Sequence, residues 1–244
     1  QSRGLGDVYK RQAITGSNGK STATALTNHV LSKCFSDVEM GGNIGKPVLE
    51  LSPLKEGSIR IIELSSYQIE LAKCLAPNLA AFINFSPDHL QRHGGLGGYF
   101  YAKARLFLEN LTDVSIINID TAEGLFLFQR LNTVENKMIA ISSKLNIKNY
   151  LWAVGLNGSF ITEWKKGRQV YSFDLRNLGD SFYSLRESVL TVYALARSFG
   201  IAPKSILTKC SGFVPLAHRI QWVDEIKGIT FINDSKATNV DATI

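Results

Sequence analysis

A short glycine-flanked turn near the start of the chain constrains the fold more than any other feature. Glycines let backbone N–H groups face inward, and a helix N-terminus adds about half a positive charge. The lysine can then reach the outer phosphates of a nucleotide, and the serine hydroxyl can ligate Mg²⁺. The turn therefore predicts a phosphate-binding loop between a strand and a helix. The apolar run Ala13-Ile14-Thr15 leads into Gly16-Ser17-Asn18-Gly19-Lys20-Ser21-Thr22, and an amphipathic helical pattern follows at once.

This phosphate loop is shorter than the full Walker pattern, G-x-x-x-x-G-K-[ST]. Ile14 stands where that pattern requires a glycine, which leaves a G-x-N-G-K-S loop. A glycine turn that opens an ordinary helix is the alternative interpretation. The position of Gly-Lys-Ser between a strand and a helix favours phosphate binding.

The composition excludes several classes of protein. Of 244 residues, 45% are hydrophobic and 20% are charged, and the net charge of +6 suits an anionic ligand. No basic run alternates with aromatic residues, so we expect no nucleic-acid partner. No apolar run approaches the roughly 18 to 20 residues of a membrane helix, and no signal peptide is visible. The widely separated Cys34, Cys74 and Cys210 fit a reducing, cytoplasmic location.

Strands that alternate with helices predict an α/β fold, a mostly parallel sheet with helices on both faces. A small antiparallel β meander follows, because Asn157-Gly158 and Lys166-Gly167 are turn pairs between β-prone segments. We interpret residues 13–15, 58–64, 79–85, 114–119 and 138–141 as strands and residues 67–75, 99–111 and 122–131 as helices. Further on, residues 181–199 and 203–210 are predicted as helices, and residues 220–226 and 229–233 as a hairpin.

The chain divides into three segments. Residues 1–12 carry no hydrophobic period, and we expect them to be a non-native leader. Residues 13–214 are predicted to form one domain, which contains the phosphate loop. A glycine- and proline-containing linker ends near Pro215, so we expect residues 215–244 to begin a second, truncated domain.

Polar residues follow the carboxyl ends of two predicted strands. Glu63 ends one strand, and Asp88 and His89 follow the next. In a doubly wound sheet such residues converge on the mouth of the phosphate loop. A carboxylate at the end of an apolar strand is costly to bury without a partner, and Mg²⁺ prefers carboxylate oxygen. Glu63 is thus a candidate metal ligand, with a helix cap or salt bridge as the alternative, and His89 is a ligand, a general base or a cap.

Three other positions carry open alternatives. Lys103 lies on an apolar helical face, either as a snorkelling lysine or as one whose charge is altered for function. Arg219, near the predicted domain junction, either contacts phosphate or base or locks an interface. Residues 233–239, Asn-Asp-Ser-Lys-Ala-Thr-Asn, either cap the next helix or contribute ligand contacts.

Together these stretches resemble the Mur ligase family, and most closely its D-glutamate-adding branch. The resemblance covers residues 13–244, and its motifs occur in the family's order. They are the phosphate loop, Gly41-Gly42-Asn43-Ile44-Gly45, Glu63-Leu64-Ser65-Ser66-Tyr67-Gln68, Asp88-His89-Leu90-Gln91-Arg92-His93, Ala102-Lys103-Ala104-Arg105, Leu216-Ala217-His218-Arg219 and Asn233-Asp234-Ser235-Lys236-Ala237-Thr238-Asn239.

The resemblance implies an ATP-dependent amide-bond ligase of peptidoglycan synthesis, working through an acyl phosphate. It implies three domains, of which this chain would hold the central ATPase domain and the start of the C-terminal, Rossmann-like one. ATP and two Mg²⁺ ions would be the cofactors, and UDP-N-acetylmuramoyl-L-alanine and D-glutamate the substrates. We expect a cytoplasmic monomer without membrane contact, and we expect these 244 residues alone to be inactive.

The resemblance also assigns roles to individual residues. Lys20, Glu63, His89 and Lys103 would be catalytic, and Lys103 matches a lysine that the family carbamylates. The metal ligands would be Ser21, Glu63, His89 and Lys103. The residues in contact with the nucleotide would be Gly16, Ser17, Asn18, Gly19, Lys20, Ser21, Thr22, Arg219 and Asp234. The residues in contact with the other substrates would be Asn43, Ser65, Lys236 and Thr238.

One stretch departs from the family's pattern. Where the family usually has Gly-Gln-His-Asn-x-x-Asn, Phe182 and Leu185 replace both asparagines, which help to seat the adenine. A nucleotide-binding paralogue without ligase activity is therefore an alternative, and a related ligase such as folylpolyglutamate synthase is another. A generic P-loop kinase or GTPase lacks support, because no Asn-Lys-x-Asp guanine motif is present.

Overall fold

A computed structural model describes residues 10–72, 75–109, 112–132 and 137–239 of the chain. Within these residues, nine strands form one sheet in the order β2-β3-β1-β4-β5-β6-β7-β8-β9. Neighbours from β2 to β7 pair in parallel, whereas β8 and β9 are antiparallel. The strands are β1 (Lys10–Thr15), β2 (Val38–Gly42), β3 (Ile59–Glu63), β4 (Leu79–Phe82), β5 (Val114–Asn118), β6 (Lys137–Ser142), β7 (Trp152–Asn157), β8 (Phe160–Lys165) and β9 (Arg168–Asp174).

Helices cover both faces of this sheet. On one face α1, α7 and α8 contribute to one apolar core, and on the other α2, α4 and α5 contribute to a second. The parallel strands alternate between the two cores, as Ala13 and Ile14 do, and both side chains are buried. The helices are α1 (Lys20–Ser32), α2 (Ser66–Leu71), α3 (Leu90–His93), α4 (Leu96–Leu108), α5 (Ala122–Leu131), α6 (Asp180–Ser184), α7 (Arg186–Ser198) and α8 (Pro203–Cys210).

The predicted α/β class is confirmed, and the meander continues the large sheet because β7 pairs with β6. The meander is attached to α7 by ionic as well as apolar contacts. The fully buried Glu163 of β8 accepts hydrogen bonds from Arg197 Nε at 2.8 Å and from Tyr193 at 2.8 Å. Trp152 on β7 donates to the same carboxylate at 3.0 Å. These bonds satisfy a buried charge that would otherwise be costly.

Several predicted boundaries were wrong. The first strand begins at Lys10, so residues 10–12, assigned to the leader, pair with β3, and the side chain of Gln12 is buried. The strand predicted over residues 79–85 ends at Phe82. The helix predicted over residues 181–199 is broken at Leu185, whose ψ of 12° separates α6 from α7. The helices predicted to end at residues 75 and 111 end at Leu71 and Leu108, and residues 73–74 and 110–111 lie outside the described part.

The segment after α8 forms its own small sheet. The predicted hairpin is confirmed as β10 (Gln221–Ile226) and β11 (Ile229–Asn233), which pair with each other in antiparallel fashion. Among the described residues, no helix has the length and apolar character needed to cross a bilayer.

Candidate functional site

The site lies where three neighbouring strands end. β1 pairs with β3 on one side, with Ile14 opposite Glu63, and with β4 on the other, with Thr15 opposite Phe82. Parallel strands end at the same edge, so the phosphate loop lies between Glu63 and the segment that follows β4. The convergence expected from the sequence is therefore present in the fold.

The phosphate loop fits closely against the segment after β4. A Cβ atom placed on Gly16 would come within 2.6 Å of Ile83 Cγ1, so only glycine fits there. Gly19 has a φ of 73°, a left-handed conformation that favours glycine, and α1 begins at the next residue. No side chain caps α1, so its first N–H groups and its dipole face the mouth of the site. Thr22 is buried in the first turn of this helix.

The side chains of Asn84 and Tyr99, which the sequence analysis did not select, hold the loop in place. Asn84 bonds the main chain of Ser17 and Asn18 through both atoms of its amide. Tyr99 donates from its hydroxyl to Ser17 Oγ at 3.2 Å, and burial raises the pKa of this phenol to about 12. Ser17 Oγ donates in turn to the carbonyl of Ser86 at 2.8 Å.

Two lysines donate hydrogen bonds to carbonyls of the loop. Lys20 Nζ donates to the carbonyl of Ser17 at 2.8 Å, and Lys103 Nζ donates to the carbonyl of Gly16 at 2.7 Å. Burial lowers the pKa of Lys20, although Glu63 and Asp88 oppose that shift. Lys103 is only 1% exposed, and burial, reinforced by the nearby Lys20 charge, lowers its pKa well below the ordinary value. Of the two alternatives for Lys103, a buried lysine with altered charge is the one that fits, since a snorkelling lysine would reach water.

Glu63 presents one carboxylate oxygen without a partner. Its side chain is 1% exposed, and Oε1 accepts a hydrogen bond from Asn43 Nδ2 at 3.1 Å. Oε2 is buried and has no hydrogen-bond partner. A buried, half-satisfied carboxylate beside a phosphate loop fits a hard cation such as Mg²⁺. Among the described residues no three His, Cys, Asp or Glu side chains cluster, so such an ion would also need hydroxyl, phosphate or water oxygen.

His89 lies on the open side of the same edge. Its side chain is 44% exposed, and its φ of 50° is in the left-handed region. The ring packs edge-on against Tyr67 at 5.2 Å and Tyr99 at 6.2 Å between centroids. Lys103 Nζ lies 4.6 Å from the centroid of Tyr99, so the histidine and the lysine both lie against this tyrosine.

The segment after α8 reaches the loop at two points. Arg219 donates to Ser21 Oγ at 3.0 Å. The amide of Asn239 exchanges hydrogen bonds with that of Asn18, at 2.9 and 3.2 Å, and also donates to Asp88 at 3.2 Å. These contacts bring residues of the hairpin region to the phosphate loop.

Other predicted site residues are not in contact with the loop in this structure. Ser65 caps α2, since its Oγ accepts from the N–H of Gln68 at 3.3 Å. Asp234 accepts a hydrogen bond from the N–H of Ile220 at 3.1 Å. Lys236 and Thr238 are exposed, so their side chains are accessible to a ligand.

The stretch that departs from the family's pattern is apolar in the structure as well. Phe182 is buried in the core beside α7, and Leu185 packs against the same core. Neither side chain offers a hydrogen bond at the position where the family usually has asparagine.

The comparisons with known proteins agree with this geometry. The model of the family described as "Mur ligase middle domain" matches residues 14–179. A UDP-N-acetylmuramoylalanine–D-glutamate ligase of Cereibacter sphaeroides is 46% identical over 232 residues, 94% of this chain and 50% of its own length. One of the same name from Ruegeria pomeroyi is 44% identical over 95% of this chain and 50% of its own length. The chain thus spans about half the length of the curated relatives it matches.

Solved structures share the fold at lower identity. MurF from Acinetobacter baumannii aligns with a TM-score of 0.70 and 17% identity, over 96% of this chain and 52% of its own. UDP-N-acetylmuramate-alanine ligase MurC from Thermotoga maritima aligns with a TM-score of 0.64 and 21% identity over the same shares. At these identities the likeness shows a common fold and no more.

Proposed function

Because the chain belongs to the Mur ligase family, we propose that it is the ATP-binding part of an amide-bond ligase that adds D-glutamate to UDP-N-acetylmuramoyl-L-alanine. The two relatives compared above bear the name of this activity, and the identity of 44–46% over nearly the whole chain supports the transfer. The observation that carries the proposal is the unpartnered Glu63 Oε2 beside a loop with a half-buried Lys20. That pair suits a triphosphate with its metal ion.

The proposed reaction is acyl transfer in two steps. A carboxylate oxygen of the muramoyl-alanine substrate attacks the γ-phosphorus of ATP, and the bond to the leaving ADP oxygen breaks. The amine of D-glutamate then attacks the acyl carbon, loses a proton, and phosphate leaves. Lys20 and the α1 N-terminus would hold the phosphates and balance the charge that develops on the transferred group. One such preorganised contact is typically worth about 3–4 kcal/mol at the transition state.

Two Mg²⁺ ions would supply further charge neutralisation at the phosphates. Ser21 and Glu63 would hold one ion, and His89 and a carbamylated Lys103 the other. The lowered pKa of Lys103 supports this modification, since only an unprotonated amine adds to CO₂. Arg219 would leave Ser21 Oγ, its partner in this structure, when the ion is bound there.

The remaining contacts extend the same proposal. Asn43, which holds Glu63, would face the muramoyl-alanine substrate together with Ser65, and Arg219 and Asp234 would contact the nucleotide. Lys236 and Thr238 would contact the incoming glutamate or the closing interface. We propose that the ligase acts as a monomer in the cytoplasm.

A chimeric enzyme tests the proposal. This chain would replace the matching half of a D-glutamate ligase relative, and ADP release would be followed in a coupled assay. We expect release that requires both UDP-N-acetylmuramoyl-L-alanine and D-glutamate. Release that is indifferent to both substrates would defeat the proposal.

A nucleotide-binding paralogue without ligase activity is the second candidate. The apolar side chains of Phe182 and Leu185 favour it, because they remove two polar groups from the expected adenine site. Calorimetry with ATP and Mg²⁺ separates the candidates when combined with the chimera. Tight binding by this chain together with no turnover by the chimera would favour the paralogue.

A further inference from the structure

One carboxamide satisfies three main-chain groups of the phosphate loop. Asn84 Oδ1 accepts hydrogen bonds from the backbone N–H groups of Ser17 at 3.0 Å and Asn18 at 2.9 Å. Its Nδ2 donates to the carbonyl of Asn18 at 3.0 Å. Asn84 follows β4, so the bonds cross from one strand end to the loop of the neighbouring strand. None of the roles proposed above uses this residue.

These bonds divide the loop into two halves. The N–H groups of Ser17 and Asn18 are directed at Asn84 and therefore do not face a ligand in the mouth of the site. The N–H groups of Lys20, Ser21 and Thr22 begin α1, have no acceptor within the helix, and meet no capping side chain. Only the second half of the loop thus has main-chain donors that remain available to phosphate.

The first half is held by other contacts as well. The carbonyl of Gly16 accepts from Lys103, and Ser17 Oγ both donates to the carbonyl of Ser86 and accepts from its N–H at 2.9 Å. The loop is therefore built before a nucleotide arrives. A loop that is already ordered loses less conformational entropy when it binds a ligand.

We propose that Asn84 is a positioning residue that takes the place of phosphate in the first half of the loop. Nucleotide phosphates then rest on the N–H groups of residues 20–22 and on Lys20. This inference rests on the proposed nucleotide-binding function. It adds that one half of the loop is bonded to Asn84 and the other half binds phosphate.

The same strand offers a matched control. Asn78 directly precedes β4, and its Oδ1 accepts a hydrogen bond from the backbone N–H of Arg11 at 3.0 Å. It thus makes an amide-to-main-chain bond of the same type to the same neighbouring strand, but at the opposite edge of the sheet. Loss of Asn78 removes a comparable bond without touching the phosphate loop.

Amide hydrogen exchange on the nucleotide-free chain, read by NMR, tests the proposal. We expect slow exchange at Ser17 and Asn18 and fast exchange at residues 20–22, which gain protection when Mg²⁺ and ADP are added. Asn84→Ala should abolish the slow exchange at Asn18 but only reduce it at Ser17, whose N–H also donates to the main-chain carbonyl of Asn84 at 3.3 Å. It should weaken ADP binding about tenfold, the scale of a lost buried hydrogen bond. Asn84→Asp keeps the accepting oxygen but replaces the Nδ2 donor by an oxygen that faces the carbonyl of Asn18, so it should also weaken ADP binding. Asn78→Ala should change neither reading.

Two results would overturn the inference. One is exchange at Ser17 and Asn18 as fast as at residues 20–22 in the unaltered chain. The other is unchanged ADP affinity in a folded Asn84→Ala variant. If Asn84→Ala does not fold, the exchange pattern of the unaltered chain, with and without ADP, still decides. If the unaltered chain binds no ADP, the nucleotide-binding function fails, and so does the role of Asn84 in phosphate binding, whatever the exchange pattern.

Discussion

At the scale of single residues, the site holds partly or fully buried ionisable side chains that have no ion-pair partner among the described residues. Glu63 and Lys103 are each 1% exposed, and Lys20 is half-buried near them. Within the described part of the chain, none of the three forms an ion pair, although other buried charges such as Glu163 do. Unpaired ionisable groups are costly to bury, and their position at one edge of the sheet supports the ligand site proposed there.

The free carboxylate oxygen of Glu63 gives the first prediction. Glu63→Gln keeps the shape of the side chain but removes the charge that would face Mg²⁺. We expect ADP affinity in the presence of Mg²⁺ to fall about 10- to 100-fold, the scale of a lost contact with a charged group. Metal-free ADP affinity should change little. Calorimetry with and without Mg²⁺ measures both values.

The exposed Glu50 provides a control of the same residue type, and Glu50→Gln should bind ADP as the unaltered chain does. If Glu63→Gln kept the full Mg²⁺ dependence, the carboxylate would not be a ligand.

Lys103 gives a prediction about pH. Burial lowers its pKa in the folded chain, so the unfolded chain binds more protons between that lowered pKa and the ordinary value of 10.5. Its contribution to the free energy of unfolding therefore rises with pH across this interval. We expect the stability of the unaltered chain to increase relative to that of Lys103→Met between pH 7 and pH 10. Denaturant unfolding of both proteins across this range provides the measurement.

The exposed Lys204 serves for comparison, since Lys204→Met should leave the pH dependence of the unaltered chain in place. Parallel stability curves for the unaltered chain and Lys103→Met would show that Lys103 keeps its ordinary pKa.

At the scale of elements, two adjacent glycines of α4 face different surroundings. A Cβ atom on Gly97 would meet nothing within 4 Å, whereas one on Gly98 would come within 1.9 Å of the carbonyl oxygen of His93. Gly97→Ala should stabilise the protein by up to about 1 kcal/mol, since alanine is the better helix former. Gly98→Ala should destabilise it. Thermal unfolding compares the pair, and equal shifts in both variants would contradict this account of the α3–α4 junction.

The bond between the meander and α7 is also testable. Glu163→Gln leaves the guanidinium of Arg197, which is mostly buried, without its charged partner. Removing one partner of a buried pair typically costs about 3–5 kcal/mol. We expect a loss of that size in urea unfolding. The double variant with Arg197→Met should lose less than the sum of the two single variants; additive losses would show that the pair does not interact.

Elements with a clear apolar period were predictable from the sequence, and positions set by tertiary contacts were not. The hairpin, α5 and α8 follow from turn residues, periodicity and proline. The break at Leu185 carries no local signal, because neither glycine nor proline marks it. Asn84 had the same signal as Glu63, a polar residue close behind a buried strand. Tyr99 had none, since its role arises from a partner 82 residues away along the chain. Asn239 belonged to a polar stretch that the sequence singled out, but its partner Asn18 could not be predicted.

At the scale of the whole molecule, the candidate functional residues lie together at one edge of the sheet. The carboxyl ends of β1, β3 and β4 bring together the phosphate loop, Glu63 and the segment that contains Asp88 and His89. Residues of two other regions join them there, Lys103 from α4 and Arg219 from the segment after α8. A parallel sheet makes this possible, because loops far apart in sequence leave it at the same edge.

Paramagnetic relaxation tests this central claim most directly. Mn²⁺ would replace Mg²⁺ together with ADP on the ¹⁵N-labelled chain, and broadening of backbone amide signals would be measured. The account predicts strong broadening at Gly19, Ser21 and Glu63 that depends on ADP, and sharp signals at Lys166 in the distant β8–β9 turn. Broadening centred on that turn, or broadening at Lys166 equal to that at Glu63, would contradict it.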